Sequence, residues 1–448
     1  MAKFRWSSTD ELRALAESLS LSVPVSEDVS ILAEPVRVGG VLVPNSLAIH
    51  PMEGCDGGSD GRPGELTIRR YDRFAAGGAG LLWVEAIAVV PEGRANPRQL
   101  WLHDKSKAAF AALTGRILKV ASQEQSGEHR PMLVAQLTHS GRYARPGRER
   151  HPIIAQHDPR RDEHMKLPAD WPVVTDEHLD ELQDRYVDAA RLAFGAGFDA
   201  VDIKACHGYL VSELLCAHHR AGRYGGSFEN RTRFLLEVIG RIHAELGDDK
   251  MVVTRLGVFD AVPHPYGWGV DGDDCTQPDL AEPKRLVKLL AGRGVPMINV
   301  SLASPYDNPH VGRPFNKNTI GACESPEHPL VGVCRAMGLA GSIQKEFPGL
   351  AIVGTGYSWL GTLFPNVAAA VKADGLATLI GVGRMAFAYP DFAADIMAKG
   401  FLDPGKVCIA CSACTQIMRD GGRTGCVVRD KEVYGPIYKA GRARSKET

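Results

Sequence analysis

Pro131-Met-Leu-Val-Ala-Gln-Leu-Thr-His-Ser-Gly-Arg142 is an apolar run of strand length that ends abruptly in polar side chains. The same pattern recurs along the chain. Ala200-Val-Asp-Ile203 runs into Lys204-Ala-Cys-His-Gly-Tyr209, Met251–Leu256 carries Arg255 near its end, and Ala377–Val382 runs into Gly383-Arg384. Leu47–Met52, Gly80–Ile87, Met297–Val300 and Ala351–Val353 bring the apolar runs to eight. Several are rich in Val and Ile, as buried strands are. Helical patterns follow most of them. Leu179, Leu182, Tyr186, Ala190 and Ala193 share one face behind Thr175 as N-cap, and Leu235, Val238, Ile239, Ile242 and Leu246 form a second stripe. Strand–helix alternation predicts a parallel sheet covered by helices. Eight such units predict a (β/α)₈ TIM barrel, with an open doubly wound sheet as the competing arrangement. The span from about 40 to 400 is long for that barrel. Residues 138–175, 257–283 and 302–328 are therefore expected to be enlarged loops, and all three follow a strand, on the catalytic face.

Composition narrows the function classes. The chain has 448 residues, 44% hydrophobic and 23% charged, with a formal net charge of −1. That balance offers no bulk attraction for nucleic acid or an acidic membrane. The amino terminus has no signal-peptide core, and the most apolar stretch, Ala75–Val90, is short and contains Glu85, so no membrane span is expected. Cys55, Cys206, Cys216, Cys275, Cys323 and Cys334 are scattered without pairing logic, which suits a reducing compartment and a cytoplasmic protein.

The other four cysteines are not scattered. Cys408-Ile-Ala-Cys411-Ser-Ala-Cys414 is followed, after eleven residues, by Cys426. Three thiols on one tight loop and a fourth from further along have the spacing of a [4Fe–4S] ligand set. Structural zinc sites more often use two separated pairs, and disulfides belong to secreted chains. Residues 1–400 are thus expected to form the barrel and residues 401–448 a cluster-binding segment packed on it.

The strand ends resemble the old yellow enzyme family of FMN-dependent ene-reductases. Asp202-Ile-Lys-Ala-Cys-His-Gly-Tyr-Leu210 and Tyr224-Gly-Gly-Ser-Phe-Glu-Asn-Arg-Thr-Arg-Phe234 carry the resemblance. The cysteine run makes the chain similar to the branch containing 2,4-dienoyl-CoA reductase and trimethylamine dehydrogenase, over about residues 30 to 430. The resemblance implies FMN along Pro51, Met52 and Glu53, with the Ala86 backbone near the pyrimidine. It implies Gln136 on the N3/O2 side of the ring and Arg255 beside N1 and O2. It places the phosphate at Gly354, Gly356, Gly383 and Arg384. Lys204, His207 and Tyr209 become the catalytic set. The first two hold a carbonyl, and the tyrosine gives a proton to the adjacent carbon of an unsaturated carbonyl substrate.

Lys204 departs from the family, where histidine is common. It either polarises the substrate or makes a salt bridge with Asp202 or Glu213. His139 and Arg142 are open between substrate contact and loop structure. Cys206 is read as packing, and Cys55 as a candidate redox modulator. Tyr306, His310, Arg313 and His328 are guesses for the substrate loops. No Gly-x-Gly-x-x-Gly run follows a strand. Reduction is therefore expected from NAD(P)H in the barrel mouth or from an external ferredoxin or flavoprotein through the cluster. Alternative readings are an amine dehydrogenase or N-demethylase, and an electron-transfer subunit. A homo-oligomer is expected.

Overall fold

In the computed structural model, residues 8–125, 127–322 and 324–447 are described; the polar amino terminus and Cys323 lie outside the described residues. A short antiparallel hairpin, β1 (Val36–Val38) and β2 (Val41–Val43), precedes the barrel. The barrel strands are β3 (Leu47–Ile49), β4 (Leu81–Ala88), β5 (Met132–Thr138), β6 (Ala200–Ile203), β7 (Met251–Gly257), β8 (Met297–Ser301), β9 (Ala351–Gly354) and β10 (Leu379–Val382). Each pairs in parallel with the next, and β10 returns to β3. All eight apolar runs are therefore barrel strands, and the doubly wound alternative is excluded. Strands covered on both sides need no alternation of polar residues, which is why the runs are continuous.

Two layers of packing hold the barrel. Inside, Trp83, Val134, Val253 and Val353 meet Val38 and Val43 from the hairpin. The hairpin thus fills the amino-terminal end of the barrel and leaves the carboxyl end open. Neither it nor the leading helix Thr9–Ser18 was evident from the sequence pattern. Outside, the helix Asp176–Gly195 buries Leu179, Leu182, Tyr186, Ala190 and Ala193, and Thr175 Oγ1 accepts the His178 N–H. Each large side chain on that stripe contributes about 1.5–3 kcal/mol by leaving water.

The Tyr-Gly-Gly-Ser motif is a structural device. Ser227 Oγ accepts the Asn230 N–H at the start of the helix Phe228–Leu246. The Tyr224 hydroxyl accepts from Gln183 at 2.7 Å, and Arg231 pairs with Glu282 at 2.6 Å. A side chain at Gly225 would stand 2.3 Å from the Arg220 carbonyl oxygen.

The enlarged loops carry small elements of their own, including the helix Pro159–Met165 and the turn Pro309–Gly312. The cysteine segment folds back across this face. Leu402, Val407, Cys408 and Ala410 join the main core. The Asn316 N–H donates to the Ala410 carbonyl, the Thr424 N–H to that of Gly54, and Arg69 pairs with Asp430 at 2.7 Å. Among the described residues, no helix is long and apolar enough to cross a membrane.

Candidate active site

A cleft opens at the carboxyl ends of the strands. Pro51 and Met52 after β3, His207 after β6, Arg255 on β7 and Ser301 on β8 line it. Gly356 after β9, Gly383 and Arg384 after β10, and Arg313 from the 302–328 loop complete its polar wall. Gly356 has φ +95°, a conformation that side chains rarely adopt, and a Cβ at Gly383 would lie 2.8 Å from Met52 Sδ.

Three buried guanidinium groups give the cleft its character. The Arg255 backbone N–H donates to Asp202 Oδ1 at 2.7 Å, while its side-chain Nη1 reaches only the Pro51 carbonyl at 3.5 Å. Arg384 donates to the Pro314 carbonyl. Arg313 donates to Ser412 at 3.1 Å and Thr415 at 2.8 Å. Arg255 Nε, Arg384 Nη1, and Arg313 Nε and Nη2 are buried with no partner among the described residues. Burial, with Arg384 beside it, lowers the Arg313 pKa to about 9. Unpaired buried donors are costly, and several around one cleft make an anion site. The phosphate and electron-rich pyrimidine edge of FMN fit that donor set.

Lys204, His207 and Tyr209 gather beside the cleft. His207 and Gly208 are consecutive left-handed residues, φ +68° and +69°, and turn the chain so that Tyr209 starts the helix Leu210–Leu215. His207 Nε2 lies 2.8 Å from Ser301 Oγ. Burial, then Arg255 and Lys204, hold the imidazole well below its ordinary pKa and therefore neutral. Lys204 Nζ lies 3.8 Å from the centre of the Tyr209 ring. Burial pulls the Lys204 pKa down, against the attraction of Cys206 and Glu53. The Tyr209 hydroxyl donates to Glu53 Oε1 at 3.3 Å, and burial raises its pKa well above the ordinary phenol value.

Several sequence expectations change here. Lys204 makes no salt bridge with Asp202 or Glu213. Asp202 instead accepts from Gln136 at 2.6 Å, Trp83 at 2.8 Å and the Arg255 backbone. Glu213 accepts from Arg142 at 2.6 Å and the Ala155 N–H at 2.8 Å. The register pairs Gln136 with Asp202, so the amide is committed sideways and does not line the cleft. Ala86 accepts from Gln99 at 3.3 Å, and Gly354 faces the Tyr357 hydroxyl; neither lines the cleft. Glu53 is turned toward Tyr209 and Gln99.

Arg142 is entirely buried between Glu213 and Asp162, and His139 Nδ1 accepts the Gly141 N–H; both are loop structure. His328 caps the helix Pro329–Glu346, and His310 stands outside the cleft. Cys206 packs against Gly257. Cys55 is buried among Glu53, Glu85 and Asp56, which hold its thiol protonated and argue against a thiolate redox switch. The sequence reading missed Ser301, because its role depends on facing His207 across ninety-four residues.

The four cysteines Cys408, Cys411, Cys414 and Cys426 line one further, small recess, which Arg384 also lines. Cys408 Sγ accepts the Ala410 N–H at 3.4 Å and Cys426 Sγ the Arg429 N–H at 3.3 Å. None of the described cysteines is in a disulfide. Among the described residues, no group of three or more His, Cys, Asp or Glu side chains is arranged to hold a metal ion. Four thiols around one recess, two of them accepting backbone N–H bonds, are nonetheless the donor type that an iron–sulfur cluster uses.

Comparison with known proteins agrees with this geometry. The model of the NADH:flavin oxidoreductase / NADH oxidase family matches residues 31–272. The NADPH dehydrogenase of Bacillus pumilus is 34% identical over 276 residues, 60% of this chain and 72% of that protein. The NADH oxidase of Thermoanaerobacter brockii is 29% identical over 271 residues, 59% of this chain and 38% of that protein. Among solved structures, 2-naphthoyl-CoA reductase in complex with 2-naphthoyl-CoA aligns with a TM-score of 0.70 at 20% identity. That alignment covers 92% of this chain and 58% of the other. Histamine dehydrogenase from Rhizobium sp. 4-9 aligns at 0.67 and 20% identity, covering 91% of this chain and 53% of that one. The chain thus spans little more than half of either of those two structures. At such identity they establish the shared fold.

Proposed function

The chain belongs to the NADH:flavin oxidoreductase / NADH oxidase family of flavin-dependent redox enzymes, and from that premise we propose that it is an FMN- and [4Fe–4S]-dependent ene-reductase acting on an activated C=C bond. The observation that carries the reading is Lys204: a buried ammonium on the face of Tyr209, attracted by Glu53 yet in no ion pair among the described residues. A cation so placed is available to the oxygen of a carbonyl or carboxylate. Arg255, Gly356, Gly383 and Arg384, with Pro51 and Met52, would hold FMN, and Cys408, Cys411, Cys414 and Cys426 the cluster. When bound, FMN supplies a hydride and the cluster carries single electrons.

The chain's own residues do the rest. His207 Nε2 pairs with Ser301 Oγ; with the hydroxyl as donor, the imidazole proton lies on Nδ1 and is available to the substrate oxygen. Lys204 shares that oxygen. Tyr209 gives its phenolic proton to the carbon beside the carbonyl as negative charge develops there. Its high pKa keeps the proton in place until then.

Electrons reach the flavin from NAD(P)H in the mouth or from an acidic one-electron carrier at the cysteine segment. Residues 401–448 hold nine Lys and Arg against five Asp and Glu in a chain of net charge −1, which favours an acidic partner such as a ferredoxin or flavoprotein.

An amine dehydrogenase is the second reading. Tyr143, stacked on Tyr306 at 3.7 Å, with Tyr209 and Glu53 nearby, makes an aromatic and acidic corner suited to a cation. Lys204 already fills that corner, which weighs against an ammonium substrate. Anaerobic titration of the flavin spectrum decides. Bleaching by NAD(P)H or reduced ferredoxin, followed by reoxidation with an enone, is the expected result; bleaching by a methylated amine would sink it. Electron paramagnetic resonance of the dithionite-reduced protein tests the cluster, with no signal and no iron as the adverse outcome.

A further inference from the structure

Glu53 lies two residues past the cleft-lining Pro51, yet its carboxylate is turned away from the arginines. Oε1 accepts the Tyr209 hydroxyl at 3.3 Å and the Gln99 amide at 3.1 Å, so two donors from separate loops fix one oxygen. Glu53 as a residue is half-buried, whereas Tyr209 is buried. A buried phenol that loses its proton in each turnover must recover one, and the carboxylate that accepts its hydroxyl hydrogen bond is the acidic group in contact with it.

We infer that Glu53 is the proton partner of Tyr209, positioned to return to the phenol oxygen the proton that Tyr209 gives to substrate. This rests on the reductase reading above. The Tyr209 O–H bond breaks as the substrate C–H bond forms, leaving a phenolate. The Glu53 carboxyl O–H then breaks, its proton forms the new phenol O–H, and the carboxylate takes a proton from solvent. No electrons move in this relay. Glu53 is thus a positioning and proton-supplying residue that acts through Tyr209.

The charged and titratable groups facing Glu53 come from every neighbouring element: Lys204 after β6, Tyr209, Tyr306 from the 302–328 loop, Cys55 on its own loop and Glu85 on β4. Burial favours the protonated carboxyl that the relay requires, while Lys204 and Tyr209 oppose it. A raised pKa means that the supply is present at low pH and is lost as pH rises through the Glu53 pKa.

The test is a double-mutant cycle with pH profiles. Glu53→Gln should slow the flavin-reoxidation half-reaction with an enone by roughly ten- to hundredfold and remove its alkaline falling limb. In Tyr209→Phe the same substitution should cost nothing further, because the relay then has no recipient. Wild-type rate and pH profile in Glu53→Gln, or an additive loss in the Tyr209→Phe background, would overturn the inference. A measurement without turnover covers the case in which Glu53→Gln does not hold flavin. Infrared difference spectra across pH should show a carboxylic-acid stretch that fades with rising pH and shifts in Tyr209→Phe; a band indifferent to Tyr209→Phe overturns the link. If the wild type reduces no enone, the reductase reading fails on its own and the infrared result still decides the Glu53–Tyr209 link.

Discussion

Arg70 and Arg384 are both deeply buried arginines, 4% and 6% exposed, and they are buried for different ends. Arg70 stands between Asp56 and Glu85, with both carboxylates in direct contact. Arg142 repeats that arrangement between Glu213 and Asp162. Arg384, Arg255 and Arg313 donate only to carbonyl or hydroxyl oxygens, and none of them is in an ion pair with a carboxylate among the described residues. A guanidinium taken from water needs negative charge nearby. Where the fold provides that charge, the arginine is part of the architecture. Where it does not, a ligand must provide it. The difference is what marks the cleft as a place for an anionic ligand, in keeping with the FMN site proposed above.

The largest effect that would break this contrast is on folding. Arg70→Met leaves Asp56 and Glu85 buried without their cation and should lower the unfolding free energy by about 3–5 kcal/mol in urea denaturation. Arg384→Met should not lower the stability of the flavin-free protein, since it removes an uncompensated charge. It should weaken flavin retention by about 1.5–3 kcal/mol, read from flavin fluorescence on dilution. If Arg384→Met destabilises the flavin-free chain as Arg70→Met does, the cleft arginines are structural and the contrast collapses.

A smaller effect concerns pH. Burial pushes the Glu85 carboxyl up to about 7, against the attraction of Arg70. Its folded pKa lies above its unfolded value, so the native state binds the extra proton. The associated stability is present at low pH and is lost as pH rises from the ordinary carboxylate range through about 7. Glu85→Gln should flatten that slope by roughly 1–2 kcal/mol, measured by denaturation at pH 5 and about 8. The smallest effect is the control. Arg116 pairs with Asp72 at 2.6 Å on the surface with its side chain 56% exposed, and Arg116→Ala should leave the unfolding midpoint unchanged.

Much of the barrel was legible because its strands are covered on both faces and read as unbroken apolar runs. Tyr209, His207 and Arg255 were legible as polar residues at strand ends. The pairing of charges was not. Glu85 looked like a polar interruption in an apolar stretch, and nothing in Gly80–Ile87 reveals that Arg70, fifteen residues earlier, will meet it. Gln136 shows another partner that the sequence could not reveal. Its residue type suits a flavin edge, but strand register sets it beside Asp202, a neighbour fixed by the closing of the barrel. The hairpin was missed because two three-residue strands carry too little periodicity to stand out.

Arg384 lines both the cleft and the cavity of the four cysteines. One guanidinium therefore stands at both of the sites proposed above. Negative charge arriving on either side draws on the same cation, so what binds first alters the affinity for what binds second, by equal amounts in both orders. With both groups bound as proposed, charge held at one site would shift the affinity and the potential at the other.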